Sequence, residues 1–433
     1  MVWTEAHIRE ISPDPGSFQR GSRLARPEKW VSLGRNERTL WGSCKGSGKN
    51  PYLTAIDLKG PAYKCSCPVR KFPCKHAIGL MLMMADLPAA EVPDWVAEWL
   101  SKRDQRAGQI KTQSIDTAEK QAAREKRRLT RLENMRLGLE DLQQWLEDII
   151  RTGLADVSTE GSDFWQKKAA RLVDAQVRGL ANRVAAIPQL FSQPDWQQKI
   201  LFELGQLYLI AEAFMQVESL PEDLQADLNQ LVGVNPKKAD VLNQVGKKDR
   251  WLVLGKRIVI EDKMDIQRIW LQGQQSQEMA LLLDFSVAGS PFENHFSSGQ
   301  VIDGDLVYYP ASVPQRALFQ RSELIPAPFE LGNAASSIDA FLTDTHQHFL
   351  QNPFLERLPA LLESVRVLQH GEAYFIQDQS GDSLPIHPQF RHIWTLMAMS
   401  GGAHICVFGE WQTPWFFPLS ALDQMGWKAL STI

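Results

Sequence analysis

Apolar residues change their spacing along this chain of 433 residues, and each spacing predicts a different kind of element. Thr39–Ser43 and Tyr52–Leu58 read as short strands. The glycine-rich segment from Cys44 to Pro51 lies between them and suits a hairpin turn. Small and apolar residues over Ala77–Met84 predict a short helix. Val92–Leu100 predicts another, with Pro93 in its first turn. Residues 101–128 are polar and charged and read as a linker or the exposed start of a long helix. From Leu129 a stripe emerges at Leu132, Met135, Leu139, Leu142, Leu146 and Ile149, and its steps of three and four mark an amphipathic helix. Ser162 and Asp163 suit the cap of a second helix carrying Phe164, Leu172, Val173, Leu180 and Val184, which Pro188 stops. A third runs over Trp196–Val217 and a fourth over Glu222–Leu231, ending near Gly233.

The period then shortens. Trp251–Leu254, Ile258–Ile260, Ile266–Leu271, Met279–Phe285 and Asp305–Tyr309 are strand-like runs, which suggest an antiparallel β unit or a small barrel. Ile338–Leu350 returns to helix. Ala373–Gln377, His404–Phe408 and Trp415–Pro418 read as strands around a helix near Phe390–Met399. The expected fold class is α+β: an N-terminal unit over 1–100, a linker over 101–128, a helical region over 129–240 and a mixed, mostly antiparallel β region over 250–433.

Composition changes this picture little. Hydrophobic residues at 44% and charged residues at 23% are ordinary for a globular chain, and the length suggests two to four domains. Most of the fourteen tryptophans are expected to be packed. The apolar run Ala77–Ala85 is about half of the roughly 20 residues a membrane span needs. MVWTEAHIRE lacks the basic start and apolar core of a secretory signal, so the expected location is the cytoplasm.

Charge is uneven. Residues 1–131 hold 24 Lys and Arg against 14 Asp and Glu, while the remainder holds 23 against 37. A basic head on an acidic body suits attraction to nucleic acid or to an acidic protein surface.

The chemistry concentrates in Cys65-Ser-Cys67-Pro-Val-Arg-Lys-Phe-Pro-Cys74-Lys-His76. Zinc takes four tetrahedral sulfur and nitrogen donors, and a closed set of three Cys and one His is typical of structural sites. Three of the five cysteines fall in this segment, a pattern unlike a disulfide framework. Cys65, Cys67, Cys74 and His76 are therefore the expected ligands of one structural Zn2+. Pro68 and Pro73 bend the chain back on itself, and His76 opens the apolar helix. Cys44 is expected in the core. Lys64, Arg70, Lys71 and Lys75 interleave with the ligands and are candidate contacts for phosphates or for a partner; they equally suit a solvated face.

C-x-C, a short spacer, then C-x-H before a small-apolar helix resembles the SWIM-type zinc finger. That finger occurs in chromatin-remodelling ATPases, mutator-type transposases and a MAP kinase kinase kinase. The lead-in Trp41-Gly-Ser-Cys-Lys-Gly-Ser-Gly48 with Pro51-Tyr52 resembles a bacterial family of SWIM proteins. So do Trp251-Leu-Val-Leu-Gly255, Gln267-Arg268-Ile-Trp-Leu271 and Leu281-Leu-Leu-Asp-Phe285. The resemblance implies a finger that binds DNA or protein. It also implies an accessory protein working with a MoxR-type AAA+ ATPase or a von Willebrand A-domain protein.

Other motifs do not carry chemistry. Gly46-Ser-Gly-Lys49 departs from the phosphate-loop spacing, and Asn50 replaces its hydroxyl residue. His346 and His348 diverge on a helix and read as surface or satisfied histidines. His404 and Cys406 share a strand face without nearby partners. Phe285, Trp270 and Trp251 are expected in the core, and Asp284 and Asp303 as solvated strand-end acids. Two functions stand side by side: a zinc-binding adaptor without catalysis, or a hydrolase whose site lies in 250–433. An open cleft with convergent acids or histidines favours the second.

Overall fold

The structure is a computed structural model that describes residues 4–46, 50–59, 62–69, 72–109, 118–260, 264–287, 290–423 and 426–430; over 105–109 and 118–124 it describes the backbone alone. The N-terminal region opens with α1 (Glu5–Glu10) and α2 (Pro15–Ser22). Asp14 caps α2 by accepting from Ser17 N at 2.7 Å, with Pro15 at the first helical position. A four-stranded antiparallel meander follows: β1 (Trp30–Arg35), β2 (Thr39–Cys44), β3 (Tyr52–Asp57) and β4 (Ala62–Cys65), each paired with its sequence neighbour. Helix α3 (Lys75–Leu82) packs on one face of this sheet, joining Leu40 and Ile56 to Ile78, Leu80 and Met81. The alternate residues Trp41 and Ala55 meet Val96 and Leu100 of α4 (Asp94–Gln109). The period of two thus gives the sheet two buried faces.

The helical region holds α5 (Ala118–Thr152), α6 (Leu154–Val157), α7 (Ser162–Asp174), α8 (Arg178–Ala186), α9 (Trp196–Met215) and α10 (Glu222–Val232). The stripe from Met135 to Ile149 is buried, together with Trp165, Leu180, Leu207 and Phe214. The helix expected over 162–187 is two helices. The chain breaks at Gln176, which takes a φ of 64°, and Gly161 rather than Ser162 stands at the N-cap. Gly179 lets α8 meet α10, since a Cβ there would lie 1.8 Å from Leu231 O.

After α11 (Lys238–Leu242) come β5 (Lys247–Val259), β6 (Met264–Gly273), β7 (Met279–Val287), β8 (Val301–Tyr308) and β9 (Ala317–Ile325). They form an antiparallel sheet in the order β7-β6-β5-β8-β9. A bridge between Leu281 and Arg316 brings the β7 edge to the start of β9, so the sheet curls toward a small barrel. The two runs expected at 251–260 are one strand, bulged between Val253 and Gly255. Helix α12 (Ile338–Gln351) leads to a second sheet. It comprises β10 (Leu358–His370), β11 (Ala373–Asp378), β12 (Ser383–Pro385), β13 (Ile405–Gln412), β14 (Trp415–Asp423) and β15 (Gly426–Ala429), with α13 (Ile393–Ser400) inserted. Its order is β12-β11-β10-β13-β14-β15.

Strand β5 belongs to both packing layers. Trp251 and Val253 fill the curled sheet with Ile269, Leu282 and Ile302. Leu252 and Leu254 face Phe408 and Leu419 of the second sheet. Gly255 allows the two sheets to touch, because a Cβ there would meet Leu419 and Phe408 at 2.8 and 2.9 Å. Glu410 on β13 is buried between the sheets. Its carboxylate accepts from Arg268 Nε at 2.7 Å, Trp270 Nε1 at 3.1 Å and Arg257 Nη1 at 3.2 Å. Burial raises its pKa, but the Arg268 charge and hydrogen bond, then Trp270 and Arg257, leave it below the usual carboxylate range. Among the described residues no helix is long and apolar enough to cross a membrane.

The N-terminal region docks on the β region. Glu10 accepts from Ser298 N at 3.3 Å and faces Lys256 at 3.7 Å, and the Tyr63 ring meets His295 edge-on at 4.9 Å.

Candidate metal centre

Sheet and helix bring four donors to one point. Cys65 ends β4, Cys67 follows in the turn, Cys74 is the N-cap residue of α3, and His76 lies in its first turn. Their ligand atoms all lie within 4.8 Å of one another. Cys65 Sγ is 3.6 Å and Cys74 Sγ 4.0 Å from His76 Nδ1. Tetrahedral zinc, with bonds of about 2.3 Å to sulfur and about 2.0 Å to nitrogen, needs S···N near 3.5 Å and S···S near about 3.8 Å. The set fits structural Zn2+, with Nδ1 the imidazole atom turned to the sulfurs. Among the described residues no other group of three or more His, Cys, Asp or Glu gathers in this way.

The surroundings prepare the sulfurs. Cys65 is held well below the usual thiol range by the hydrogen bond from Cys74, with help from His76 and Thr54, against the effect of burial. Cys74 is pushed up by that same contact with Cys65 and by burial, and Cys67 is pushed up chiefly by burial. The three thiols titrate as one cluster, and a metal must displace the protons they share.

Two supporting residues escaped the sequence reading. Thr54 Oγ1 lies 3.2 Å from Cys65 Sγ, and the Tyr52 ring lies 4.8 Å from that of His76. Thr54 pairs with Cys65 across β3 and β4, so strand register was the signal that locates it.

Residues 52–85 match the family described as SWIM zinc finger, and residues 130–232 match the SWIM-associated four-helix bundle domain. The chain carries a SWIM zinc finger. No curated protein matches the chain. The bundle match spans most of α5 and all of α6 to α10, and it begins 45 residues after the finger match ends.

Cys44 lies fully buried in the SWIM finger's core and outside the donor group. Lys64 is exposed, but its Nζ donates to Trp95 O at 3.4 Å and sits 5.6 Å from the centre of the Trp95 ring. Lys75 is half-buried at the start of α3. Arg70 and Lys71 lie outside the described residues. His346 is exposed, and His348 lies 4.0 Å from Asp344. Asp284 was expected as a solvated acid but is buried, accepting from Asn294 N at 2.9 Å and Gln267 Nε2 at 3.1 Å. Phe285 was expected in the core and is 45% exposed, because the odd residues of β7 point away from the curled sheet's interior.

Proposed function

We propose that the protein is a non-catalytic adaptor. Cys65, Cys67, Cys74 and His76 hold one structural zinc ion, and the finger so closed docks on a partner protein. One observation carries the preference for protein over DNA: several of the head's cations are engaged within the chain. Arg38 pairs with Asp57 at 3.2 Å and Asp104 at 2.7 Å, and Arg103 with Asp57 at 3.2 Å. Lys45 donates to Glu28 O at 2.9 Å and Arg35 to Leu87 O at 3.0 Å, as Lys64 does to Trp95 O. A phosphate-reading face needs cations free to displace counterions. The acids of the β region also serve packing: Glu410 binds Arg268, Asp284 binds Asn294, and Asp303 pairs with Arg321.

The partition into 1–100, 101–128, 129–240 and 250–433 is read as finger, connector, bundle and β-rich recruiting surface. The family resemblance points to a MoxR-type AAA+ ATPase or a von Willebrand A-domain protein as the partner, and the free thiols suit a reducing cytoplasm. The test is a gel shift of the full chain on duplex DNA at about 50 mM salt, with a salt titration of any complex. The adaptor reading expects no shift. A complex that dissolves steeply with salt, and whose slope falls by about two in an Arg70→Ala, Lys71→Ala variant, would instead assign the finger to phosphates.

A further inference from the structure

The outward face of the curled sheet is apolar where it packs on the second sheet, and at the β6–β7 edge the apolar rows run on past that contact to Leu283, Ile266 and Phe285. Across β6 and β7 the paired rows are Trp270 with Leu281, Arg268 with Leu283, and Ile266 with Phe285. These side chains are on the opposite face from Ile269 and Leu282, which fill the sheet's interior. A polar outer face is the usual arrangement for such a sheet. Here the rows line an open hollow of about 460 Å³, bordered by α10 of the bundle, the Tyr309–Arg316 turn and the loop of residues 352–357. Bundle, sheet and loop thus meet around one hollow, and such junctions are where ligand pockets most often form.

One charged group in this wall has no counter-charge paired with it among the described residues. The Arg316 guanidinium lies 4.2 Å from the centre of the Tyr309 ring. Its Nε is buried and makes no hydrogen bond to any described residue. Arg316 also makes no ion pair among the described residues, whereas the other charges of the wall are committed. Arg268 is bound by Glu410, Arg357 lies 3.3 Å from Glu356, and the Asp227 carboxylate accepts from the Ser312 amide at 3.1 Å and from the Ser312 hydroxyl. A guanidinium held over an aromatic ring keeps N–H groups in reserve for a carboxylate, which a guanidinium binds in paired hydrogen bonds.

We propose that this junction binds a carboxylate carried on an apolar body. The carboxylate is bound by Arg316, and the body lies on Leu281, Leu283 and Phe285. Its source is either a free small organic acid or the C-terminal residue of a peptide chain, which share this chemistry. The site is separate from the zinc finger and does not depend on the adaptor reading.

Isothermal titration of the full chain tests it with four probes: 3-phenylpropanoate, its neutral amide, the tripeptide Gly-Gly-Phe with a free C-terminus, and that tripeptide as its amide. The wild-type chain should bind at least one acid and bind the matching amide about tenfold or more weakly. Binding of 3-phenylpropanoate alone assigns a free acid, binding of the tripeptide alone assigns a chain terminus, and binding of both leaves the shared chemistry standing. Arg316→Gln should weaken the acid at least tenfold and leave zinc content unchanged. The acid-to-amide comparison needs no variant, so it decides the question even if Arg316→Gln folds poorly. Equal binding of acid and amide, or no saturable binding of either acid up to about 10 mM, overturns the proposal.

Discussion

The finger and the helical bundle close their cores by different means. In the bundle, Trp165, Leu207, Ile210 and Phe214 bury fully against the α5 stripe, and apolar packing is enough. In the finger, Cys67 and Cys74 are themselves core residues, packed with Ile78, Leu80 and Met83. A core that includes two buried thiols and an imidazole is incomplete until something satisfies them. Zinc is therefore a component of the finger's interior, whereas the bundle has no comparable dependence.

The largest effect that can break this comparison is loss of the metal. Cys74→Ser should take zinc from about one per chain to near none, removing metal-linked folding energy on the order of 10 kcal/mol from the finger alone. Atomic absorption and limited proteolysis read the result. Residues 30–90 should become cleavable, as they should under a chelator, while 129–232 stay resistant. Protection near 295–298 should also fall, because Tyr63 and Glu10 pack there. Full zinc in Cys74→Ser, or zinc loss in Cys44→Ser, would show that the ligand set is wrong.

The converse substitution lies in the bundle. Trp165 is fully buried among Trp145, Phe164 and Phe191. Trp165→Ala should cost about 3–5 kcal/mol in urea unfolding of the helical region without changing zinc content. A drop in zinc would mean that the two regions fold as one.

A smaller effect concerns the seam between finger and β region. Burial, with the charge of Lys256, lowers the pKa of His295 to about 3. The unfolded chain binds this proton near pH 6.5, so the stabilisation is complete above that pH. It is lost as pH falls from 6.5 toward 3, at about 1.4 kcal/mol per unit, or about 2 kcal/mol by pH 5. The difference between the parent chain and His295→Gln isolates this slope from proton release by the zinc ligands. Parallel stability curves for the two would remove His295 from the seam. The smallest effect is local: Asp14→Ala deletes the α2 cap and should cost about 1 kcal/mol in the finger, measured as a shift in its own melting with zinc bound.

How far these features could be read from sequence follows from what each depends on. The ligand set was legible because four donors fall within twelve residues. Helices α9, α10 and α12 were legible from unbroken apolar periodicity, and their ends fall within one or two residues of those expected. The break at Gln176 was not legible, since neither Gly nor Pro stands there, although its positive φ closes α7 through bonds from Gln176 N to Val173 O and from Val177 N to Leu172 O. Strand β10 was hidden by Pro359 and by charged residues along its length, and it is held by its neighbours β11 and β13 rather than by its own pattern. Glu410 gave no local signal, because Arg268 and Arg257 lie more than 140 residues away in the chain.

Strand β5 lends this architecture a constraint on how its sequence can drift. Most strands in a layered protein have one side on which substitutions pass without consequence. Between Trp251 and Leu254 β5 has none, since alternate residues serve two different interiors. A saturation library across these four positions should show no alternation in tolerance. Gly255 next to them should accept no larger residue unless Phe408 or Leu419 changes with it. Lineages that diverge here must do so by linked replacements on strands far apart in the chain, so co-variation, rather than conservation at single sites, is the trace β5 would leave in a set of relatives.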